Sequence, residues 1–87
     1  MAVKIGIESI ATLGSIVQFH RKQAGLSRIA LADIAGVGKT VVYDIEKGKQ
    51  TVKLNTLLKI LGALNITLIM DGPLLDLYQE VSDNAKS

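Results

Sequence analysis

A mainly all-α domain of four or five short helices, closed by one C-terminal β-strand, is the fold class this sequence predicts. Three observations predict it. The 87 residues supply one small core and no more, because short chains have little interior to divide. The hydrophobic fraction is 48%, but one Phe, two Tyr and no Trp leave the core to Leu, Ile, Val and Ala, which suits packed helices better than an aromatic-rich sandwich. Apolar residues recur at helical spacing up to Leu64, and only then give way to a β-branched run.

The first helix is expected over residues 10–24. Ser9 is its candidate N-cap, Ile10, Leu13, Ile16, Val17 and Ala24 share one side, and Gly25 stops it. Ser27 is the next N-cap candidate, opening a short helix over 28–35 in which Ile29, Ala30, Ile34 and Ala35 form the apolar side and Gly36 ends the run. After the turn Gly36-Val37-Gly38, a third helix over 39–47 points Val42 and Ile45 inward, with Gly48 as its stop. A polar connector, residues 49–53, leads to a fourth helix over 54–64 with a wide stripe of Leu54, Leu57, Leu58, Leu61 and Leu64.

Residues 65–70, Asn-Ile-Thr-Leu-Ile-Met, read as one strand, ended by Asp71-Gly72-Pro73. A lone strand needs a hydrogen-bonding partner, either its own copy across a two-fold axis or the segment Val3 to Ile7. The first choice predicts a homodimer paired through Ile66, Leu68 and Met70. A last short helix is expected over 74–81, with a polar end beyond it. The chain thus divides into an N-terminal segment, 1–8, a domain over 9–71, and an acidic tail, 72–87.

No cysteine is present, so neither disulfides nor thiolate metal sites can support the fold, and a reducing cytoplasmic setting fits. The chain opens without the apolar stretch of a signal peptide, and no apolar run approaches membrane-spanning length, so no membrane association is expected. Charge is uneven. Residues 21–59 hold eight of the ten bases (Arg21, Lys22, Arg28, Lys39, Lys47, Lys49, Lys53, Lys59) against Asp33, Asp44 and Glu46, a local +5 in a chain of net +2. A basic middle followed by an acidic end points to a polyanionic partner for the middle.

Two short helices joined by a Gly-containing turn, the second presenting small and polar side chains outward, have the form of a helix-turn-helix that inserts its second helix into the major groove. Other chemistries fail on spacing. Gly38-Lys39-Thr40 ends like a phosphate-binding loop, but the motif requires Gly where Asp33 stands and a strand before it. His20 is the only histidine and lacks partners for a metal site or a nucleophilic dyad. Asp71, Asp76, Glu80 and Asp83 lack the closely alternating oxygen ligands of a calcium loop. Neither an enzyme nor a cofactor or metal site is expected.

Residues 25–48, Gly-Leu-Ser-Arg-Ile-Ala-Leu-Ala-Asp-Ile-Ala-Gly-Val-Gly-Lys-Thr-Val-Val-Tyr-Asp-Ile-Glu-Lys-Gly, resemble the phage-repressor and Cro-like (XRE) helix-turn-helix family. The landmarks are Leu31-Ala32 in the scanning helix, Gly36-Val37 in the turn, Val42 and Ile45 in the recognition helix, and the closing Glu46-Lys47-Gly48-Lys49. Residues 44–54, Asp-Ile-Glu-Lys-Gly-Lys-Gln-Thr-Val-Lys-Leu, followed by Leu57 to Leu64 and a terminal strand, are further similar to the HipB-type antitoxins, a likeness covering residues 9–71.

The resemblance implies roles residue by residue. Lys39, Thr40, Tyr43 and Asp44 would face the groove, where Lys donates to guanine O6 and N7 and Asp accepts from cytosine N4. Val41 would either touch a thymine methyl or pack beside Val42. Ser27, Arg28, Lys47 and Lys49 match positions that contact sugar-phosphate. Arg28 stands where the family commonly has Gln, so a plain charge contact is expected of it. Arg21 and Glu46 match a structural ion pair between the first and third helices.

The function so implied is a repressor that binds palindromic operator DNA as a homodimer and serves as the autoregulating antitoxin of a HipA-type serine/threonine kinase toxin. The alternative is a protein-interaction module that binds and neutralises a partner kinase with little DNA binding of its own.

Overall fold

Turn chemistry sets the element boundaries of this chain. The computed structural model describes residues 2–86, with side chains described through residue 83. A 3₁₀ turn, Ile7–Ser9, leads into α1, Ile10–Gln23; then follow α2, Arg28–Ala35, α3, Lys39–Glu46, α4, Leu54–Ala63, and α5, Leu75–Lys86. Gly25, Gly36 and Gly48 all take positive φ (71°, 71° and 85°) just past α1, α2 and α3, where a side chain would be strained. Asn65, φ 59°, does the same after α4, as one of the few side-chain-bearing residues that tolerate it.

The core is aliphatic. Val17, Leu31, Ala32, Val42, Ile45, Ile60 and Leu61 are buried, with Leu13, Leu26, Leu57, Leu64 and Ile66 packed around them. The α3 helix lies against both α1 and α2, and α2 also packs on α4. Gly14 is buried on α1, in line with Val17 and Arg21 at positions 14, 17 and 21, and its missing side chain lets α1 approach the backbone of α3 at Ile45 and Glu46.

Several expectations are corrected. Ser9 does not cap α1; its hydroxyl accepts from the Gly6 amide at 2.9 Å and closes the preceding turn instead. Ala24 is exposed rather than part of the apolar side of α1. On α2 the buried side carries Leu31 and Ala32, while Ile29 and Ile34 are exposed. On α4 Ile60 is fully buried, and Leu54 and Leu58 face out. The last helix runs to Lys86, well past residue 81.

Among the described residues there is no β-strand. The last backbone bond of the α4 turn runs from the Ile66 amide to the Leu61 carbonyl at 2.9 Å, and residues 66–72 carry no regular structure. Ile66 packs on the chain's own core, whereas Leu68, Ile69 and Met70 are all exposed, so the in-and-out alternation of a half-buried strand is missing. The physical reason is that a ladder needs a second strand, and Val3 to Ile7 does not provide one in this chain: it has no regular structure before the 3₁₀ turn that Ile7 begins. No helix among the described residues is long and apolar enough to cross a membrane.

Candidate nucleic-acid interface

The site is built on the α2–α3 turn. The Ser27 hydroxyl accepts from the Ala30 amide at 3.0 Å, satisfying one of the free donors at the start of α2. At the other end, left-handed Gly36 lets the Val37 amide donate back to the Ala32 carbonyl at 3.0 Å, which closes the turn tightly. Gly38 then serves as the extended N-cap residue of α3. Because Val42 and Ile45 are pinned in the core with Leu31 and Ala32, the opposite side of α3 has to face outward.

Lys39, Thr40 and Tyr43 occupy that outward side and are exposed, with Asp44 half-buried next to them. Val41 is partly buried and packs against the core. The spacing 39, 43, 47 runs down one helix face, so Lys39, Tyr43 and Lys47 line up along it. Two cations lie over the Tyr43 ring: the Arg28 guanidinium carbon is 5.2 Å from its centroid and the Lys47 ammonium 5.4 Å. Lys49 reaches back to Asp44, Nζ to Oδ2, at 3.5 Å, an exposed pair of small energetic weight.

Beneath this surface is a buried charge cluster. Arg21 Nε donates to Glu46 Oε2 at 2.6 Å and Nη2 to Oε1 at 3.1 Å, and Nη1 donates to the Leu26 carbonyl at 2.9 Å. Arg28 Nε adds a third donor to Glu46 Oε1 at 3.2 Å. The Glu46 side chain is 1% exposed. Burial disfavours its ionised form more than any other single influence does, yet the hydrogen bonds and charges of Arg21 and Arg28 together hold its pKa below the ordinary carboxylate range. The hydrogen bond to Glu46 raises the pKa of Arg21 in turn, against the opposing effect of burial.

The contacts from Arg28 to Glu46 and to Tyr43, and that between Lys49 and Asp44, lie outside the sequence reading. The first two join residues 18 and 15 positions apart along the chain, and the signal for the first was the Arg in place of Gln at position 28. Thr51 and Thr56 also escaped it; with Asp44, Lys49 and Lys53 they line an open cleft of about 310 Å³ between α3 and the start of α4. Other candidates are not brought together. Leu68 and Met70 lie exposed beyond α4, apart from Ile66, which packs against the core. His20 Nδ1 contacts the Ile16 carbonyl at 2.7 Å, and the described residues contain no acid or histidine group able to hold a metal ion.

A helix-turn-helix family model, HTH_3, matches residues 19–69, more than half of the chain and all of the surface just described. The chain belongs to the helix-turn-helix family. This helix-turn-helix protein is 33% identical over 67 residues to the "Uncharacterized HTH-type transcriptional regulator y4mF" of Sinorhizobium fredii, covering 77% of this chain and 88% of that relative. It is 42% identical over 48 residues to an "Uncharacterized HTH-type transcriptional regulator" of Haemophilus influenzae, covering 55% of this chain and 49% of the relative. A solved structure described as "MDT Protein" superposes with a TM-score of 0.70 at 24% identity, over 82% of this chain and 97% of that one, a likeness of fold. The helix-turn-helix family is one of DNA-binding regulators of the XRE type, and this protein carries its DNA-binding domain, not an enzyme fold.

Proposed function

We propose that this helix-turn-helix regulator is a transcriptional repressor that binds a palindromic operator as a homodimer. The observation that carries the reading is the outward face of α3, where Lys39, Thr40, Tyr43 and Lys47 stand exposed on a helix pinned from behind by Val42, Ile45 and the Arg21–Glu46 pair. On this reading Lys39, Thr40, Tyr43 and Asp44 read base edges in the major groove. Ser27, Arg28, Lys47 and Lys49 hold the sugar-phosphate. The Ser27 oxygen already caps α2, which leaves its hydroxyl hydrogen for a phosphate.

A two-fold dimer matches a two-fold operator, with half-sites about one duplex turn apart. The run Thr67 to Met70, without regular structure and with Leu68 and Met70 exposed, is the element that a second copy would complete as a strand ladder, continuing from Ile66. The likeness of residues 9–71 to HipB-type antitoxins supports a narrower role, an autoregulating antitoxin paired with a HipA-type kinase. A cytoplasmic location follows from operator binding.

The test is selection of duplexes from a random pool, followed by gel retardation. The wild-type protein should recover a palindromic site whose affinity falls steeply with salt, and Lys39→Glu combined with Lys47→Glu should abolish retardation. Undiminished retardation by the double variant would refute the assignment of the α3 face. Co-expression and co-purification with a HipA-type kinase, unimpaired in the same variant, test the antitoxin role; absence of DNA binding by the wild type with capture retained would favour a pure protein-interaction module.

A further inference from the structure

We infer that Arg28 is a positioning residue for Tyr43, so that a side chain of the scanning helix governs which base pair the recognition helix prefers. The inference rests on the DNA-binding reading above and adds to it a role in sequence choice for a residue otherwise expected to serve only as a phosphate anchor.

The geometry at Arg28 differs from that of a free surface cation. Its Nε donates to Glu46 Oε1 at 3.2 Å, and Glu46 is itself locked in place by two bonds from Arg21. With Nε held there, the guanidinium plane is anchored at one edge, and its central carbon lies 5.2 Å from the centroid of the Tyr43 ring. The Arg28 side chain is 38% exposed, against 53% for Lys49. Glu46, Arg28 and Tyr43 therefore form a chain of contacts that starts in the core and ends at the exposed Tyr43.

Tyrosine has two side-chain torsions, and on an exposed helix face the backbone still leaves more than one rotamer open to it. The cation over the ring favours the rotamer that keeps ring and guanidinium in contact. Lys47, 5.4 Å from the centroid, adds to the positive charge at the ring but has no anchor comparable to Glu46. A phenol held in one place presents its hydroxyl to one base edge; released, it samples several. A good bidentate base contact discriminates roughly 5- to 150-fold against the wrong base, and a single phenol hydroxyl sits toward the low end of that range, so positional freedom at Tyr43 shows up as a several-fold loss of discrimination at one position of each half-site.

Lysine is the informative replacement. Arg28→Lys keeps the positive charge but cannot bond Glu46 from one edge of a planar group while stacking on the ring. A phosphate anchor tolerates that change; a positioning residue does not.

The experiment measures base preference at every operator position for wild type, Arg28→Gln, Arg28→Lys, Tyr43→Ala and the double variant Arg28→Gln with Tyr43→Ala, each with its salt dependence and thermal midpoint. The expected result is a several-fold loss of preference at the same single half-site position in Arg28→Gln, Arg28→Lys and Tyr43→Ala. In the Tyr43→Ala background, Arg28→Gln should change that position no further. A uniform loss of affinity across sequences, restored by Lys and accompanied by a salt slope reduced by about 1, identifies Arg28 as a phosphate anchor and overturns the inference. A loss of preference spread over all positions, together with a large fall in thermal midpoint, means that Arg28 acts on the fold and also overturns it. A wild-type protein that selects no sequence refutes the DNA-binding reading itself, an outcome distinct from either of these.

Discussion

Arg21 of α1 donates two hydrogen bonds to Glu46 of α3, one to each carboxylate oxygen, at 2.6 and 3.1 Å, across a helix contact that is otherwise aliphatic. A buried pair of this kind is a weak source of net stability but a strong constraint, because removing either partner strands the other charge. Glu46→Gln leaves the buried Arg21, and Arg28 beside it, without their anionic partner. We expect it to lower the unfolding free energy by about 3–5 kcal/mol, a large part of what a small domain possesses. Replacing both partners, as in Arg21→Met with Glu46→Leu, should cost far less than Glu46→Gln alone. Urea unfolding of the three proteins decides the matter; equal losses would mean that the pair contributes by packing only.

The same cluster sets the acid stability. Glu46 has a folded pKa below its unfolded value, so its contribution is complete above the unfolded value of about 4.3 and is lost as pH falls through the folded value. Arg21 is shifted upward; its contribution is complete below the ordinary guanidinium pKa and disappears only at higher pH, outside any working range. The thermal midpoint should therefore drop on acidification below about pH 4 in the wild type, and less so in Glu46→Gln. Parallel midpoint curves for the two proteins between about pH 7 and pH 3 would show that other carboxylates dominate.

Gly14 supplies a prediction of opposite sense to helix propensity. Alanine is ordinarily favoured over glycine within a helix by about 1 kcal/mol. Here a Cβ would collide with the Ile45 carbonyl oxygen and come within 3.1 Å of the Glu46 carbonyl oxygen, both backbone atoms that cannot swing aside. Gly14→Ala should thus force α1 away from α3 and destabilise by about 1–3 kcal/mol despite the gain in propensity. Thermal unfolding measures it, and a rise in midpoint would show that the two helices can separate freely. Gly62 on α4 serves as the control, since nothing lies within 4 Å of where a methyl group would stand, and Ala there should stabilise.

How much of this was legible in the sequence follows from how local each feature is. The limits of α2 and α3 are set by Ser27, Gly36, Gly38 and Gly48, whose effects act over a few residues and can be read from the chain. The buried side of α2 could not be read, because six of its eight residues are apolar and the choice of Leu31 over Ile29 is made by contact with α3 and α4. On α1 a glycine between Leu13 and Val17 marked the close approach to α3, although the apolar count passes over it. The β-branched composition of 65–70 describes only half of a strand; the other half is a neighbouring ladder. In the interface, the positions of Lys39, Thr40 and Tyr43 follow from helical periodicity once Val42 and Ile45 are inside. The contact between Arg28 and Glu46 spans 18 residues and depends on the angle between two helices, which periodicity does not contain.

Lys47, Lys49 and Asp44 allow the proposed DNA-binding surface to be tested through salt alone. Each lysine that neutralises a phosphate releases counterions, so Lys47→Ala and Lys49→Ala should each reduce the slope of log affinity against log salt by about 1 and leave sequence preference unaltered. Asp44 would oppose this: its carboxylate lies 3.5 Å from the Lys49 ammonium and would compete with a phosphate for it. Asp44→Asn should therefore steepen the slope, in the opposite direction to both lysine variants, while weakening any preference for the cytosine that Asp44 would read. Binding measured from low to high salt gives all three slopes, and a slope for Asp44→Asn that falls along with those of the lysines would show that Lys49 serves DNA only when Asp44 holds it in place.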